Sequence, residues 1–146
     1  MSADAVTTAT PSVLVGDDEE LYRRALERIL ARVGHRVACA ADATEALSLV
    51  ATQHFDLVLC DLKMPGINGL ELLRQVRELE PDLPCILITG HGSAEASVEA
   101  LRAGAFWYLE KPFDQANLEV VRGLVQQAIE HGRLKAEHRA LHGQLR

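Results

Sequence analysis

Val58-Leu59-Cys60-Asp61-Leu62-Lys63-Met64-Pro65-Gly66 is the stretch on which the reading of the chain turns. It continues an apolar run from Leu57, with the unbroken hydrophobicity of a strand covered on both faces. Asp61 ends that run, Pro65-Gly66 makes a turn, and a helical pattern follows. In an open parallel α/β sheet, the carboxyl end of a central strand faces the crevice where ligands bind. Asp61 is therefore a candidate site residue. A strand-ending aspartate is also a common turn former, so the choice rests on what surrounds it.

Strands and helices alternate on either side. Ser12-Val13-Leu14-Val15-Gly16 is a first strand, followed by Asp17-Asp18-Glu19-Glu20 and a helix with Leu21, Ala25, Ile29 and Val33 facing inward, closed by Gly34. Arg36 to Ala40 is a second strand. Asp42 or Thr44 starts a second helix, with Ala43, Ala46, Leu47 and Val50 on its inner face. The third helix runs from about Gly69 to Leu79. Pro84 to Ile88 is a fourth strand ending at Thr89, and Ser93 caps a fourth helix with a thin apolar face, Val98 and Leu101, ended by Gly104. Ala105 to Leu109 is a fifth strand, followed by Glu110-Lys111-Pro112-Phe113 and a last helix capped by Asp114, with Leu118, Val121, Val125 and Ala128 inward. Five alternations with short connections predict a doubly wound parallel sheet, flavodoxin-like, with five helices. Strand order 2-1-3-4-5 places the most apolar strands, one, three and four, at the centre.

Composition bounds the function. The chain has 146 residues, 48% hydrophobic and 25% charged, as expected of one soluble domain. A net charge of −6 argues against a nucleic-acid surface, and no apolar run is long enough to span a bilayer. Residues 1–11 carry no signal-peptide pattern and read as disordered. Cys39, Cys60 and Cys85 lie in apolar stretches without metal-ligand spacing, as buried free thiols in a reducing compartment.

The topology gathers Asp17, Asp18, Asp61, Thr89 and Lys111 at one sheet edge. Each like-charged pair about 4 Å apart repels by roughly 4 kcal/mol at an effective dielectric of 20. Three carboxylates so placed call for a cation, and hard oxygen ligands in an open site suit Mg²⁺. A lysine and a hydroxyl beside a carboxylate nucleophile match the needs of an attached phosphoryl group.

Four motifs then carry a resemblance over about Ser12 to Ile129: Val13-Leu14-Val15-Gly16-Asp17-Asp18-Glu19, Asp61-Leu62-Lys63-Met64-Pro65-Gly66, Ile88-Thr89-Gly90 and Tyr108-Leu109-Glu110-Lys111-Pro112-Phe113. In this order they resemble the response-regulator receiver domain of two-component signalling. The resemblance implies that Asp61 is the phosphoacceptor. Asp17 and Asp18 would hold Mg²⁺ with Asp61 and the backbone carbonyl of Lys63. Lys111 would pair with the phosphoryl oxygens, and Thr89 would bring its hydroxyl to them. Tyr108 would change rotamer with Thr89, although it reads equally as a core aromatic. Lys63 and His91 would tune the dephosphorylation rate, and Lys111–Pro112 would be cis. The family's activity is a self-catalysed aspartyl phosphorylation and dephosphorylation in the cytoplasm, with a histidine kinase or phosphotransfer protein as donor. The face of helix four, strand five and helix five would relay the change to an output domain, which in some relatives is a transcriptional activator. Two residues depart from the pattern. Gly16 replaces a bulkier residue and is expected to loosen the end of strand one, and Trp107 stands where Asp is common, as a partner anchor or lying on aliphatic neighbours.

Residues 130–146 read as a helical linker toward an output domain. Leu134, His138, Leu141 and Leu145 form a short 4-3-4 seam for weak homodimerisation, with Gly132 as a hinge. Rival readings are weaker. A flavin module would not set four acids after strand one, an aspartate phosphatase would carry a second Asp at position 63, and a receiver that takes no phosphate would not keep the acid set.

Overall fold

The computed structural model describes residues 10–64, 66–90, 94–111 and 117–144. The element order is β1 (Ser12–Gly16), α1 (Glu20–Arg32), β2 (Arg36–Ala40), α2 (Ala43–Thr52), β3 (Leu57–Asp61), α3 (Gly69–Leu79), β4 (Cys85–Thr89), α4 (Ala94–Arg102), β5 (Trp107–Glu110) and α5 (Leu118–Gln144). The five strands are parallel in the order β2-β1-β3-β4-β5. β3 and β4 are buried along their whole length, as expected of central strands with continuous apolar runs.

Two apolar layers follow from the pleat. Leu14, Val58, Cys60 and Leu87 face α2 and α3 with Val50, Leu72 and Val76. Val13, Val15, Leu59, Ile86 and Ile88 face α1 and α5 with Leu26, Leu30, Val121, Val125 and Ile129. Each such side chain, once buried, contributes about 1.5–3 kcal/mol. Among the described residues no helix is long and apolar enough to cross a membrane. The cysteines are free, and burial pushes the Cys85 thiol up to about 12 and the Cys60 thiol well upward, so both are inert packing groups.

The glycine stops act as predicted. Gly34 and Gly104 have φ of 90° and 104°, and the bonds His35 N–H to Leu30 O and Ala105 N–H to Ala100 O close α1 and α4 around them. Asp42, not Thr44, caps α2 by accepting from the Glu45 N–H at 2.8 Å. The caps expected at Ser93 and Asp114 lie outside the described residues.

Several expectations change, and Cys39, expected to be buried, is only half-buried. In α1 the inward residues are Leu26, Ile29 and Leu30, while Leu21 and Val33 are 77% and 46% exposed. A strict i, i+4 stripe drifts about 40° per step around a 3.6-residue helix, so its ends leave the core face. In α4, Val98 and Leu101 face solvent, and Ser97 and Ala100 are buried instead. β5 begins at Trp107 rather than Ala105, because the Ala105 N–H is taken by the α4 cap. The end of β1 is not loosened: Gly16 pairs with Ala40 and Cys60, and the Met64 methyl lies 3.4 Å from where its Cβ would stand.

Gly132 is no hinge. α5 runs through it unbroken, and a Cβ there would stand 2.6 Å from Pro84 Cδ and 3.2 Å from Asp82 O. The missing side chain lets α5 pass against the α3–β4 connection. Ion pairs fasten the same stretch, Arg133 to Asp56 at 3.5 Å and Arg139 to both Asp82 oxygens at 2.8 and 3.1 Å. Two glycines of one helix should therefore respond oppositely to alanine. Gly123 has open space around it, so Gly123→Ala should stabilise by about 1 kcal/mol through helix propensity. Gly132→Ala meets a rigid proline ring and should destabilise, the overpacking of about 1–3 kcal/mol outweighing the same propensity gain. Urea midpoints at unchanged m-value measure both.

Candidate functional site

The carboxyl ends of β1, β3 and β5 meet because adjacent parallel strands are in register there, Gly16 beside Cys60 and Thr89 beside Glu110. Asp61 is the last residue of β3 and is buried. Its Oδ1 accepts the Lys63 N–H at 3.0 Å, and its Oδ2 accepts from Lys111 Nζ at 3.0 Å. Gly69 holds the α3 entrance against this loop. A Cβ there would lie 2.7 Å from Leu62 Cα and 2.8 Å from the Asp61 carbonyl oxygen, so no larger residue fits without moving the Asp61 backbone.

Asp17 is wholly buried behind Asp61. Its Oδ1 accepts the Glu19 N–H at 2.9 Å. Its Oδ2 lies 3.1 Å from Lys111 Nζ, an ion-pair distance, yet the approach lacks hydrogen-bond geometry and the buried oxygen keeps free acceptor capacity. Burial pushes the Asp17 pKa from 3.8 up to about 6; the Glu19 N–H opposes that and the Asp61 charge adds to it. Asp18 is exposed at the rim. Oxygens of Asp17, Asp18, Glu19 and Asp61 lie within 4.8 Å of one another. Four hard oxygen donors, one of them a buried carboxylate oxygen without a hydrogen bond, fit a small divalent cation such as Mg²⁺.

Lys111 is the counter-charge. Burial alone would lower its pKa, but hydrogen bonds to Glu19 and Asp61 and the close Asp17 carboxylate outweigh that and raise it, so it stays an ammonium. Two of its contacts escaped the sequence reading: Glu19 Oε1 at 2.8 Å and the face of Tyr22, whose centroid is 4.1 Å away. The acid run after β1 hinted at Glu19. Nothing local marks Tyr22, which reaches the site only because the first turn of α1 leans over it. The buried Thr89 hydroxyl donates to Leu109 O at 3.4 Å, a long bond. Tyr108, half-buried, sits one residue before Leu109. The site opens as a cleft of about 310 Å³ lined by Asp18, Glu19, Asp61, Leu62, Lys63, Gly90 and Lys111. His91 and the Lys111–Pro112 peptide lie outside the described residues.

The folded pKa of Asp17 lies above its unfolded value, so the native state holds the extra proton between about pH 4 and 6. Its contribution is fully favourable below that window and is lost as pH rises through it. In Mg²⁺-free solution, wild-type stability relative to Asp17→Asn should therefore fall from about pH 4 to about pH 6. Urea midpoints across that range test it; a constant difference between the two proteins would remove the elevated pKa.

Comparison with known proteins agrees with the fold. The profile of the response regulator receiver domain matches residues 13–121. The C4-dicarboxylate transport transcriptional regulatory protein DctD of Pseudomonas aeruginosa is 41% identical over 141 residues, 97% of this chain and 30% of that protein. Regulatory protein AtoC of Escherichia coli is 41% identical over 92% of this chain and 29% of its own length. The chain thus spans about 30% of the length of these relatives. A CheY-like response regulator receiver domain protein from Methanospirillum hungatei has a TM-score of 0.79 at 30% identity, covering 87% of this chain and 99% of its own. NtrX from Brucella abortus has a TM-score of 0.81 at 36% identity over 90% of this chain and 30% of that one. With the receiver profile spanning both ends of the acidic cleft and 99% of a solved receiver covered, the chain belongs to the response regulator receiver domain family.

Proposed function

We propose that the chain is a phosphorylatable switch whose phosphoacceptor is Asp61. The observation that carries this is the setting of its carboxylate, one oxygen on the Lys63 N–H and the other on Lys111 Nζ, each at 3.0 Å, inside a cluster of three further acids. A carboxylate so held is fixed in orientation and open to the cleft. A phosphohistidine of a kinase or phosphotransfer partner would be the donor: an Asp61 oxygen forms the new P–O bond, the P–N bond breaks, and the imidazole nitrogen keeps the electron pair and takes a proton. Mg²⁺, held by Asp17, Asp18, Asp61 and the Lys63 carbonyl, would shield the charge of the arriving phosphoryl group. Lys111, already an ammonium at Asp61, needs only to shift from carboxylate to phosphoryl oxygen. The long Thr89 bond to Leu109 O is readily exchanged for a bond to a phosphoryl oxygen, and Tyr108 follows. Lys63 and His91 would set the lifetime of the acyl phosphate by tuning its hydrolysis.

The readout is the face of α4, β5 and α5, where Val98, Leu101 and Trp107 are exposed. Moving a population from 1:99 to 99:1 takes about 5.5 kcal/mol of preference for the active state. In this reading residues 12–129 are the receiver in a reducing cytoplasm, and residues 130–146 are the connector to an output domain such as a transcriptional activator. Leu134 and Leu141, exposed seven residues apart on α5, support weak pairing of two copies.

Acetyl phosphate with Mg²⁺ should add one phosphoryl group to the wild type and none to Asp61→Asn, read by intact-mass spectrometry. Equal labelling of both would remove Asp61 from the role. Lys111→Ala should keep metal binding and lose most of the conformational response. Mg²⁺ should raise the melting temperature of the wild type in proportion to RT ln(1 + [L]/Kd). Asp61→Asn should raise that of the metal-free protein by relieving like-charge repulsion; no metal shift together with a destabilised Asp61→Asn would mean that the cluster holds no cation.

A further inference from the structure

Trp107 is the only tryptophan and is 47% exposed, on the edge strand β5. Its ring stacks on that of Tyr108, centroids 5.6 Å apart and planes 13° from parallel. Neighbouring side chains of a strand normally point to opposite faces. Among the described residues no further strand covers β5 at this edge, so the two rings can lean together along its flank. In this stacked arrangement Tyr108 is half-buried. The next residues of the strand reach the site: Leu109 O accepts the Thr89 hydroxyl, Glu110 is in register with Thr89, and Lys111 pairs with Asp61.

We propose that Trp107 is a positioning residue of the switch: by stacking on Tyr108 it keeps that ring outward and opposes the inward movement that accompanies phosphorylation. This rests on Asp61 being the phosphoacceptor. A parallel-displaced aromatic pair at this separation favours the stacked arrangement by a factor of about 2 to 10. The stack exists only in the outward state, so it stabilises that state alone. By linkage, removing it raises affinity for any ligand that prefers the inward state, by the same factor. Phosphorylation then also unmasks the face of the indole that Tyr108 had covered.

The test uses the full chain with beryllofluoride and Mg²⁺ as the phosphoryl mimic, and the half-saturating concentration is read from the melting temperature. Trp107→Leu should lower it about 2- to 10-fold, and Trp107→Phe, which can still stack, should stay near the wild type. In a Tyr108→Leu background, Trp107→Leu should change nothing. In the wild type, saturating beryllofluoride should increase acrylamide quenching of Trp107, a readout that needs no variant to fold. Unchanged quenching, an unchanged half-saturation in Trp107→Leu, or the same change with Tyr108 already removed would each overturn the stacking role while leaving Asp61 in place. If wild type and Asp61→Asn respond to the mimic alike, the phosphoacceptor reading fails and the Trp107 role falls with it.

Discussion

The ammonium of Lys111 ties the carboxyl edge of the sheet together. It lies 2.8–3.1 Å from oxygens of Glu19, Asp17 and Asp61 and 4.1 Å from the centre of the Tyr22 ring, and so joins the end of β5 to β1, β3 and the first turn of α1. One positive charge cannot neutralise four carboxylates. Burial of Asp17 and, to a smaller degree, the neighbouring Asp61 charge move its pKa upward although an ammonium stands beside it, so this edge is destabilising in isolation. The rest of the fold must hold these groups at close range. It does so with two fully buried central strands and an apolar layer on each face.

The opposite edge of the sheet is tied differently. Asp56 accepts the Ser12 N–H at 2.9 Å and faces Arg133 and His54, and Asp82 takes both donors of Arg139. With Gly132 passing against Pro84, these contacts join α5 to the amino-terminal side of β1, β3 and β4. Exposed ion pairs of this kind add little individually. Their effect is geometric: they hold the long helix α5 in one direction against the connections that precede β3 and β4. The two edges divide the labour, reactive charge at one and mechanical attachment at the other.

Much of this was legible in the chain itself. Apolar runs placed the strands, glycine stops at Gly34 and Gly104 placed two helix ends, and the order of β and α segments left few topologies. That topology alone brings Asp17, Asp61, Thr89 and Lys111 to one edge, because in a parallel sheet every strand ends on the same side. Where the reading slipped, it slipped on rotation: Leu21, Val33, Val98 and Leu101 have the right character for a core but the wrong angle around their helices.

By itself, then, the sequence determined the fold class, the strand order and three of the four clustered acids, Asp17, Asp18 and Asp61, since these follow from local periodicity and chain order. Only the tertiary structure decided which groups touch. Tyr22 under Lys111, the proline ring where Gly132 would carry a Cβ, and Trp107 against Tyr108 depend on helix rotation, strand register and the lack of a neighbour beyond β5. Those are set by packing of the whole domain, and a contact between residues 89 positions apart, such as Tyr22 and Lys111, leaves no trace in the local pattern of either.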